Sequence, residues 1–188
     1  MKALNLMSFD QHFHLVHPEE FSHLTQDSSA LAIFTDFKKH IPQAVVFNMP
    51  AMHAESMMRK AHVRLKVVVD KEGELVGTIS VNELEEQKMF QVQQENGISK
   101  EEVLVQDLMI PRQKIKALEY DELAQASIGD VLETLNQNHQ QHCLVVDSDE
   151  KQIRGVISAT DIARRLHIPL PTERKTTFFD IFMALRPH

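Results

Sequence analysis

The apolar positions of this chain fall into short runs that occur twice in the same order. In each copy an apolar strand ends at an aspartate, a polar turn follows, and a second apolar strand leads to a serine. Val68-Val69-Asp70 matches Val145-Val146-Asp147, and Gly77-Thr78-Ile79-Ser80 matches Gly155-Val156-Ile157-Ser158, with one extra residue in the second turn. Because β-branched runs separated by a polar turn are typical of hairpins, the repeat predicts two β-hairpins that each lead into a helix.

A strand and a helix are predicted upstream of each hairpin. The strands are Ala44-Val45-Val46-Phe47 in the first copy and Ile115-Lys116-Ala117-Leu118 in the second. The helices are indicated by apolar residues at helical spacing, which are Met57, Met58 and Ala61 in the first copy and Ile128, Val131, Leu132 and Leu135 in the second. Each copy therefore has the order βαββα, and the predicted fold class is α/β (α+β).

The segments around the two copies complete the predicted organisation. Glu83 to Glu95 is polar with helical spacing, and Ser99-x-x-Glu102 predicts a capping box at the entry to the second copy. We expect an N-terminal extension at 1–34, a first unit with its linker helix at 35–98, a second unit at 99–168 and a C-terminal helix at 169–188. The extension itself has no reliable pattern.

The C-terminal segment predicts an amphipathic helix from Thr177 to Leu185, after the chain is broken by two prolines. Its apolar residues follow the spacing i, i+3, i+4 and i+7, and they are Phe178, Ile181, Phe182 and Leu185. This face would cover the core of the same chain, mediate self-association, or dock another protein. Packing within the chain or self-association is the favoured interpretation.

Composition favours a soluble globular protein. The chain has 188 residues, 43% of them hydrophobic, and one cysteine, so an internal disulfide is excluded. Cys143 opens an apolar strand and is interpreted as a buried hydrophobic residue. No export signal is visible, and no apolar run approaches the ~20 residues of a membrane-spanning helix. We therefore expect a cytoplasmic protein with no membrane role.

Charge and motifs exclude several functions. The formal net charge of -7 disfavours a nucleic acid polymer as partner, and Arg164-Arg165 and Arg174-Lys175 are interpreted as solvated residues. No phosphate-binding glycine loop or catalytic motif occurs, so an enzyme is not expected. His12-x-His14-x-x-His17 lacks supporting carboxylates. His139 and His142 are not expected to share a helix face, because a strand is predicted to begin around His142, so we expect no metal site.

The paired segments V-V-D and G-h-h-S/T-x-x-D resemble tandem CBS domains. The second segment reads Gly77-Thr78-Ile79-Ser80-Val81-Asn82-Glu83 in the first unit and Gly155-Val156-Ile157-Ser158-Ala159-Thr160-Asp161 in the second. Val105-Gln106-Asp107-Leu108-Met109 is similar to the lead-in of a CBS unit, with Thr35-Asp36-Phe37 as its weaker counterpart. The likeness covers about Thr35 to Leu166. It implies two CBS units packed as a pseudo-twofold module with two clefts.

The resemblance also implies a function. In similar proteins these clefts often bind adenine nucleotides or S-adenosylmethionine, the modules commonly pair into homodimers, and the CBS units usually regulate an attached enzyme, channel or transporter. We therefore expect a stand-alone regulatory module that binds AMP, ADP, ATP or S-adenosylmethionine, requires no cofactor and modulates an unidentified protein partner. The alternative is a CBS dimerisation or assembly module with degenerate clefts and no physiological nucleotide.

The Ser-x-x-acid turns have two competing interpretations. In one, Ser80 and Ser158 cap helices, and Glu83 and Asp161 bond back to the capping residues. In the other, the serine faces a phosphate and the carboxylate accepts hydrogen bonds from ribose. Glutamate fits the capping box, whereas the aspartate is the residue that similar CBS proteins use for ribose, so the second turn is the favoured site. Gly77 and Gly155 allow close approach of either a neighbouring element or a ligand.

Further candidates follow from the family pattern. The position six residues before each V-V-D aspartate often holds His or Arg in similar nucleotide-binding proteins; here it holds Arg64 and Gln141, and His142 follows the latter. Each of these is alternatively a surface residue at a strand start, and Thr160 a first-turn threonine. The candidate ligand-binding residues are Ser158, Thr160, Asp161, Arg64, His142, Ser80 and Glu83.

Overall fold

Two four-stranded sheets form the centre of the protein. The computed structural model describes residues 24–137, 140–169 and 176–186. Its strands are β1 (Phe34–Asp36), β2 (Ala44–Val46), β3 (Leu65–Val69), β4 (Leu75–Ser80), β5 (Ile110–Pro111), β6 (Ala117–Glu119), β7 (His142–Asp147) and β8 (Gln152–Ser158). Its α-helices are α1 (Ala51–Lys60), α2 (Glu86–Asn96), α3 (Val105–Leu108), α4 (Tyr120–Gln125), α5 (Ile128–Leu135), α6 (Ala159–Arg165) and α7 (Phe178–Leu185). Short 3-10 helices span Ala30–Ile33, Lys100–Glu102 and Arg112–Lys114.

The two predicted hairpins are confirmed, and their registers are equivalent. β3 pairs antiparallel with β4, with Leu65 opposite Ser80, and β7 pairs antiparallel with β8, with His142 opposite Ser158. A register shift interrupts both hairpins at the same place, after Val68 and after Val145. The upstream strands β2 and β6 each pair in parallel with the first hairpin strand, as the βαβ connection requires.

The helices differ between the two copies more than the sequence repeat indicated. The second copy has an additional helix, α4, between β6 and α5. After β8 the helix α6 begins at once, whereas after β4 the chain forms turns and α2 begins only at Glu86. The predicted linker helix and the capping box are confirmed, since the Ser99 N–H donates to Glu102 Oε2 at 2.9 Å.

Each sheet is completed by a strand from the segment that leads into the other copy. β1 pairs antiparallel with β8 in the second sheet, whose order is β1-β8-β7-β6. β5 pairs antiparallel with β4 in the first sheet, whose order is β2-β3-β4-β5. The domain boundaries at 34/35, 98/99 and 168/169 stay a prediction about the sequence repeat, because both sheets contain strands from either side of them.

The repeated glycines are explained by this strand exchange. A Cβ atom on Gly155 would lie 2.2 Å from the Thr35 carbonyl oxygen, and one on Gly77 would lie 2.6 Å from the Ile110 carbonyl oxygen. The crossing strands β1 and β5 therefore approach at distances that exclude any side chain. The element that approaches each glycine is therefore a strand. The predicted counterpart of the lead-in segment was wrong in register: Phe34-Thr35 contacts Gly155 as Met109-Ile110 contacts Gly77, so these pairs correspond, and the match does not begin at Thr35.

Two apolar cores lie between the sheets and their helices. The first is formed around α1, β3, β4 and the segment Val103 to Val105, and the second around α5, α6, β7 and β8. Residues Ala30 and Ile33 belong to the second core, and Leu24 packs against it. The described part of the predicted N-terminal extension is thus integrated into the second core, whereas residues 1–23 lie outside the described residues.

The C-terminal helix packs within the chain. Phe178 and Ile181 of α7 are buried in the second core, where α7 contacts α5 and α6. Thr177 caps the helix, because its hydroxyl accepts a hydrogen bond from the Asp180 N–H at 3.3 Å. The interpretation that this helix covers the core of its own chain is therefore confirmed.

An ion pair fixes β1 to the second sheet. Arg154 donates from Nε to Asp36 Oδ1 and from Nη2 to Asp36 Oδ2, both at 2.9 Å, and each side chain is only 12% exposed. The guanidinium also lies 4.0 Å from the centroid of the Tyr120 ring. The hydrogen bond from Arg154 holds the pKa of Asp36 at about 2, below its ordinary value of 3.8. The pair thus stabilises a non-local strand contact.

Replacing Asp36 with asparagine is expected to lower the unfolding free energy by about 1.5–3 kcal/mol near neutral pH, because two charge-assisted hydrogen bonds are weakened. A lowered carboxyl pKa stabilises the folded state above the ordinary pKa and ceases to do so as the pH falls through the folded value. The difference between wild type and Asp36→Asn in urea denaturation should therefore shrink between about pH 4 and about pH 2. Asp149→Asn, in the exposed β7–β8 turn, is the matched control; a pH-independent difference for Asp36→Asn would contradict the role given to this ion pair.

Candidate ligand-binding site

A cavity of about 460 Å³ opens where β8 ends and α6 begins. Its walls come from both sheets and from residues 37–43, the crossing loop, which runs from β1 in the second sheet to β2 in the first. Among the lining residues are five that the sequence analysis named as candidates, and they are Arg64, His142, Ser158, Thr160 and Asp161. The cavity between the two sheets brings them together, since Arg64 directly precedes β3 of the first sheet and the other four belong to the second sequence copy.

The turn at Ser158 leaves its polar groups free of a capping box. Ser158 is the N-cap of α6, but its side chain makes no capping hydrogen bond to the start of the helix. Asp161 lies in the first turn and its carboxylate is paired with Arg164, whose Nη2 atom lies 2.5 Å from Asp161 Oδ1. Ser158 and Asp161 therefore form no capping box, and Asp161 lines the cavity.

The corresponding turn at Ser80 is closed on itself. Glu83 Oε2 accepts hydrogen bonds from the Ser80 N–H at 2.9 Å and from the Ser80 hydroxyl at 2.5 Å. The Ser80 oxygen accepts from the Asn82 N–H at 3.2 Å, and Lys88 Nζ lies 3.5 Å from Glu83 Oε1. The expected back-bonding of Glu83 is confirmed, but Ser80 caps no helix because α2 begins at Glu86. Neither Ser80 nor Glu83 lines the 460 Å³ cavity.

The pseudo-equivalent cleft beside β4 is almost filled. It has a volume of about 30 Å³, which is room for one or two water molecules. Ile110 and Lys116 occupy the places that Thr35 and Gln43 hold in the large cavity, and Thr78 takes the place of Val156. His142 borders both spaces. Among the described residues, the two clefts that the pseudo-twofold symmetry relates thus differ strongly in volume.

The geometry of two exchanged βαββα units agrees with a comparison of the sequence with family models. The model of the CBS domain matches residues 35–86 and 105–168, which together make up more than half of the chain. The chain belongs to the CBS-domain family. No curated protein matches it in sequence.

Solved CBS structures are similar to this CBS pair in fold. A conserved CBS-domain protein of unknown function from Thermoplasma acidophilum has a TM-score of 0.54 at 23% identity, over 80% of this chain and 76% of that one. CBSX2 from Arabidopsis thaliana, in a complex with AMP, has a TM-score of 0.54 at 20% identity, over 73% and 94%. The CBS domain pair of protein MJ0100, in complex with 5′-methylthioadenosine and S-adenosylmethionine, has a TM-score of 0.51 at 17% identity, over 73% and 98%.

The charged side chains that line the cavity of the CBS pair are two arginines and one aspartate, and two histidines, His62 and His142, line it as well. Arg64 and Arg164 both line it, along with Asp161. Burial lowers the pKa of His142 to about 4, although Asp161 acts in the opposite direction. His142 is therefore neutral at pH 7 and offers a hydrogen bond instead of the positive charge expected of a phosphate partner.

Sequence reasoning missed two parts of the cavity. Arg164 was interpreted as a solvated residue, although its position three residues after Asp161 on a helix places both side chains on one face. Phe37, Ile41 and Gln43 line the cavity from the crossing loop, and the sequence analysis named none of them as a site residue. Only the exchange of β1 into the second sheet brings this loop to the site.

The sequence analysis also considered a reactive cysteine and a histidine metal site. Cys143 is buried in the second core, and burial raises the pKa of its thiol to about 11, which agrees with a packing role. His142 lies in β7, as expected of a residue at a strand start, whereas His139 and the run His12 to His17 lie outside the described residues. Within the described ranges, no three potential metal ligands cluster, and none of the helices has the length and apolar character needed to cross a bilayer.

Proposed function

We propose that this CBS pair is a non-enzymatic regulatory module that binds one adenosine-containing ligand per chain and thereby modulates a partner protein. The observation that carries the proposal is the convergence of Arg64, Ser158, Thr160 and Asp161 on one open cavity while the related cleft has almost no volume. The ligands in the CBSX2 and MJ0100 structures support the same class of ligand here.

Each wall of the cavity suits a different part of such a ligand. The Asp161 carboxylate accepts hydrogen bonds from ribose hydroxyls, and the Ser158 and Thr160 hydroxyls supply further polar contacts. Arg64 supplies positive charge for a phosphate. Phe37, Ile41 and Val156 form apolar wall for the base. A volume of about 460 Å³ lies within the range of roughly 300–1,000 Å³ that is usual for small-molecule sites.

Regulation follows from the position of the cavity between the two sheets. A ligand bound there contacts β3 of the first sheet and β8 of the second. It therefore stabilises the relative arrangement of the two sheets that offers it most contacts, and a partner that recognises one arrangement responds to the ligand. The partner protein, the homodimer and the cytoplasmic location stay predictions within this proposal.

The proposal is tested by isothermal titration of the full chain, freed of bound ligand by unfolding and refolding, with AMP, ADP, ATP and S-adenosylmethionine. We expect at least one of them to bind with a stoichiometry of one per chain, because the second cleft lacks room for a nucleoside. Two ligands per chain would show a second site, either in the narrow cleft after it opens or in a separate cavity of about 730 Å³ between the β3–β4 turn and the β7–β8 hairpin. Absence of heat and of a thermal shift with all four would contradict ligand sensing and favour the alternative of an assembly module.

A specific observation favours assembly as a second function. On α7, Phe179 and Met183 face away from the core at spacing i, i+4 and are 37% and 49% exposed. Two apolar side chains on one exposed helix face are suited to contact with another protein surface, including a second copy of the chain. Under this alternative the protein is a stable dimer whose association state does not change with any adenosine compound, as measured by analytical ultracentrifugation.

A further inference from the structure

The ion pair between Asp161 and Arg164 lies within the wall of the ligand cavity itself. Both residues line the cavity, and Arg164 Nη2 lies 2.5 Å from Asp161 Oδ1. The two side chains are 36% and 61% exposed, so solvent reaches the pair. An exposed pair at spacing i, i+3 contributes little to stability and can be broken at small cost. The carboxylate proposed to hold ribose is thus occupied by a replaceable cation.

We propose that Arg164 makes this cavity selective for nucleotides, which carry both a ribose diol and a phosphate, over neutral nucleosides and S-adenosylmethionine. The inference rests on the proposed function and specifies its ligand. A ribose diol that donates to Asp161 displaces the Arg164 guanidinium from the carboxylate. The displaced guanidinium then binds phosphate oxygens, for which its planar, two-donor geometry is well suited.

Displacement of Arg164 from Asp161 and binding of the released guanidinium to phosphate together favour a ligand that has both a ribose diol and a phosphate. A nucleoside breaks the ion pair but gives the released guanidinium no partner. A nucleotide breaks the same pair and replaces one carboxylate partner of Arg164 by a phosphate. S-adenosylmethionine carries one carboxylate but also a sulfonium cation and an ammonium group, so its net charge is positive. Next to Arg64 and Arg164 these two cations offset what the carboxylate gains, whereas a nucleotide brings negative charge alone. Arg164 therefore weakens nucleoside binding slightly and strengthens nucleotide binding.

The neighbouring residue provides a matched control. Arg165 follows Arg164 on α6, is also exposed, and carries the same charge, but it does not line the cavity. A change that acted through the net charge of the protein or through the stability of α6 would be similar at both positions. A change that acts through the cavity is restricted to Arg164.

The experiment is calorimetric titration of AMP, adenosine and S-adenosylmethionine into the full chain, for wild type, Arg164→Ala and Arg165→Ala. We expect Arg164→Ala to weaken AMP binding at least ten-fold and to leave adenosine binding unchanged or up to about five-fold tighter, since the competing cation is gone. Arg165→Ala should leave both within two-fold of wild type, and Arg164→Lys should recover part of the AMP affinity.

Three outcomes would overturn the inference. If Arg164→Ala weakens AMP and adenosine equally, the residue has a structural role, and circular dichroism of the variant would then report a change in α6. If AMP binds wild type and Arg164→Ala alike, Arg164 does not contact phosphate, although the proposed function would stand. If wild type binds none of the adenosine compounds, the proposed function fails and this inference fails with it.

Discussion

Gly155→Ala is expected to lower the unfolding free energy by about 3 kcal/mol or more, which is a large effect for the addition of one methyl group. The new Cβ would lie 2.2 Å from the Thr35 carbonyl oxygen and 2.4 Å from the Phe34 ring. The backbone of β1 cannot yield by rotating a side chain, so the strand must separate from β8. Separation also weakens the Asp36–Arg154 ion pair, which depends on the same register.

Denaturation of the full chain by urea measures this effect, and another glycine serves as the control. Gly129 lies in α5, where an added Cβ would have its nearest neighbour at 3.4 Å, and its backbone is helical. Gly129→Ala is therefore expected to be neutral or to stabilise the protein by about 0.5–1 kcal/mol through helix propensity. If Gly155→Ala were as well tolerated as Gly129→Ala, the close packing of β1 on β8 would be wrong.

The elements that depend on a local sequence pattern could be predicted, whereas the strand pairing between distant segments could not. The hairpins β3–β4 and β7–β8 follow from alternating apolar runs and turn residues, which act over a few positions. The pairing of β1 with β8 joins residues more than a hundred positions apart, and β1 has only three residues, too few for a recognisable period. The repeated glycines Gly77 and Gly155 indicated that another part of the molecule packs closely against each hairpin, but not which strand it is.

The candidate site divides in the same way. Ser158 and Asp161 were predicted because the repeat marks them. The prediction that Glu83 bonds back to Ser80 is confirmed, whereas the assignment of the ligand to the second turn stays a prediction. The charge state of His142 could not be predicted, because it depends on burial between the two sheets. The closure of the second cleft also depends on side chains from several elements, including Ile110 and Lys116.

Asp161→Ala is expected to weaken binding of an adenosine ligand about 100-fold and to leave the unfolding free energy nearly unchanged. The complex would lose two charge-assisted hydrogen bonds from ribose to the carboxylate, whereas the ion pair that Asp161 forms with Arg164 in the described part of the free protein is exposed. Glu83→Ala is expected to do the reverse. It removes the acceptor of the Ser80 N–H and hydroxyl, with a loss of about 1–2 kcal/mol in stability, but it lies outside the cavity.

The two variants together test the assignment of the cleft, because each is the control for the other. Both remove one carboxylate from equivalent positions of the repeat, so a general effect of charge would appear in both titrations. Affinity for AMP measured by calorimetry should fall only for Asp161→Ala, and the urea midpoint should fall only for Glu83→Ala. Equal losses of affinity would mean that the ligand contacts both turns, and the narrow cleft would then have to open on binding. A loss for Glu83→Ala alone would place the ligand at β4 and reverse the assignment.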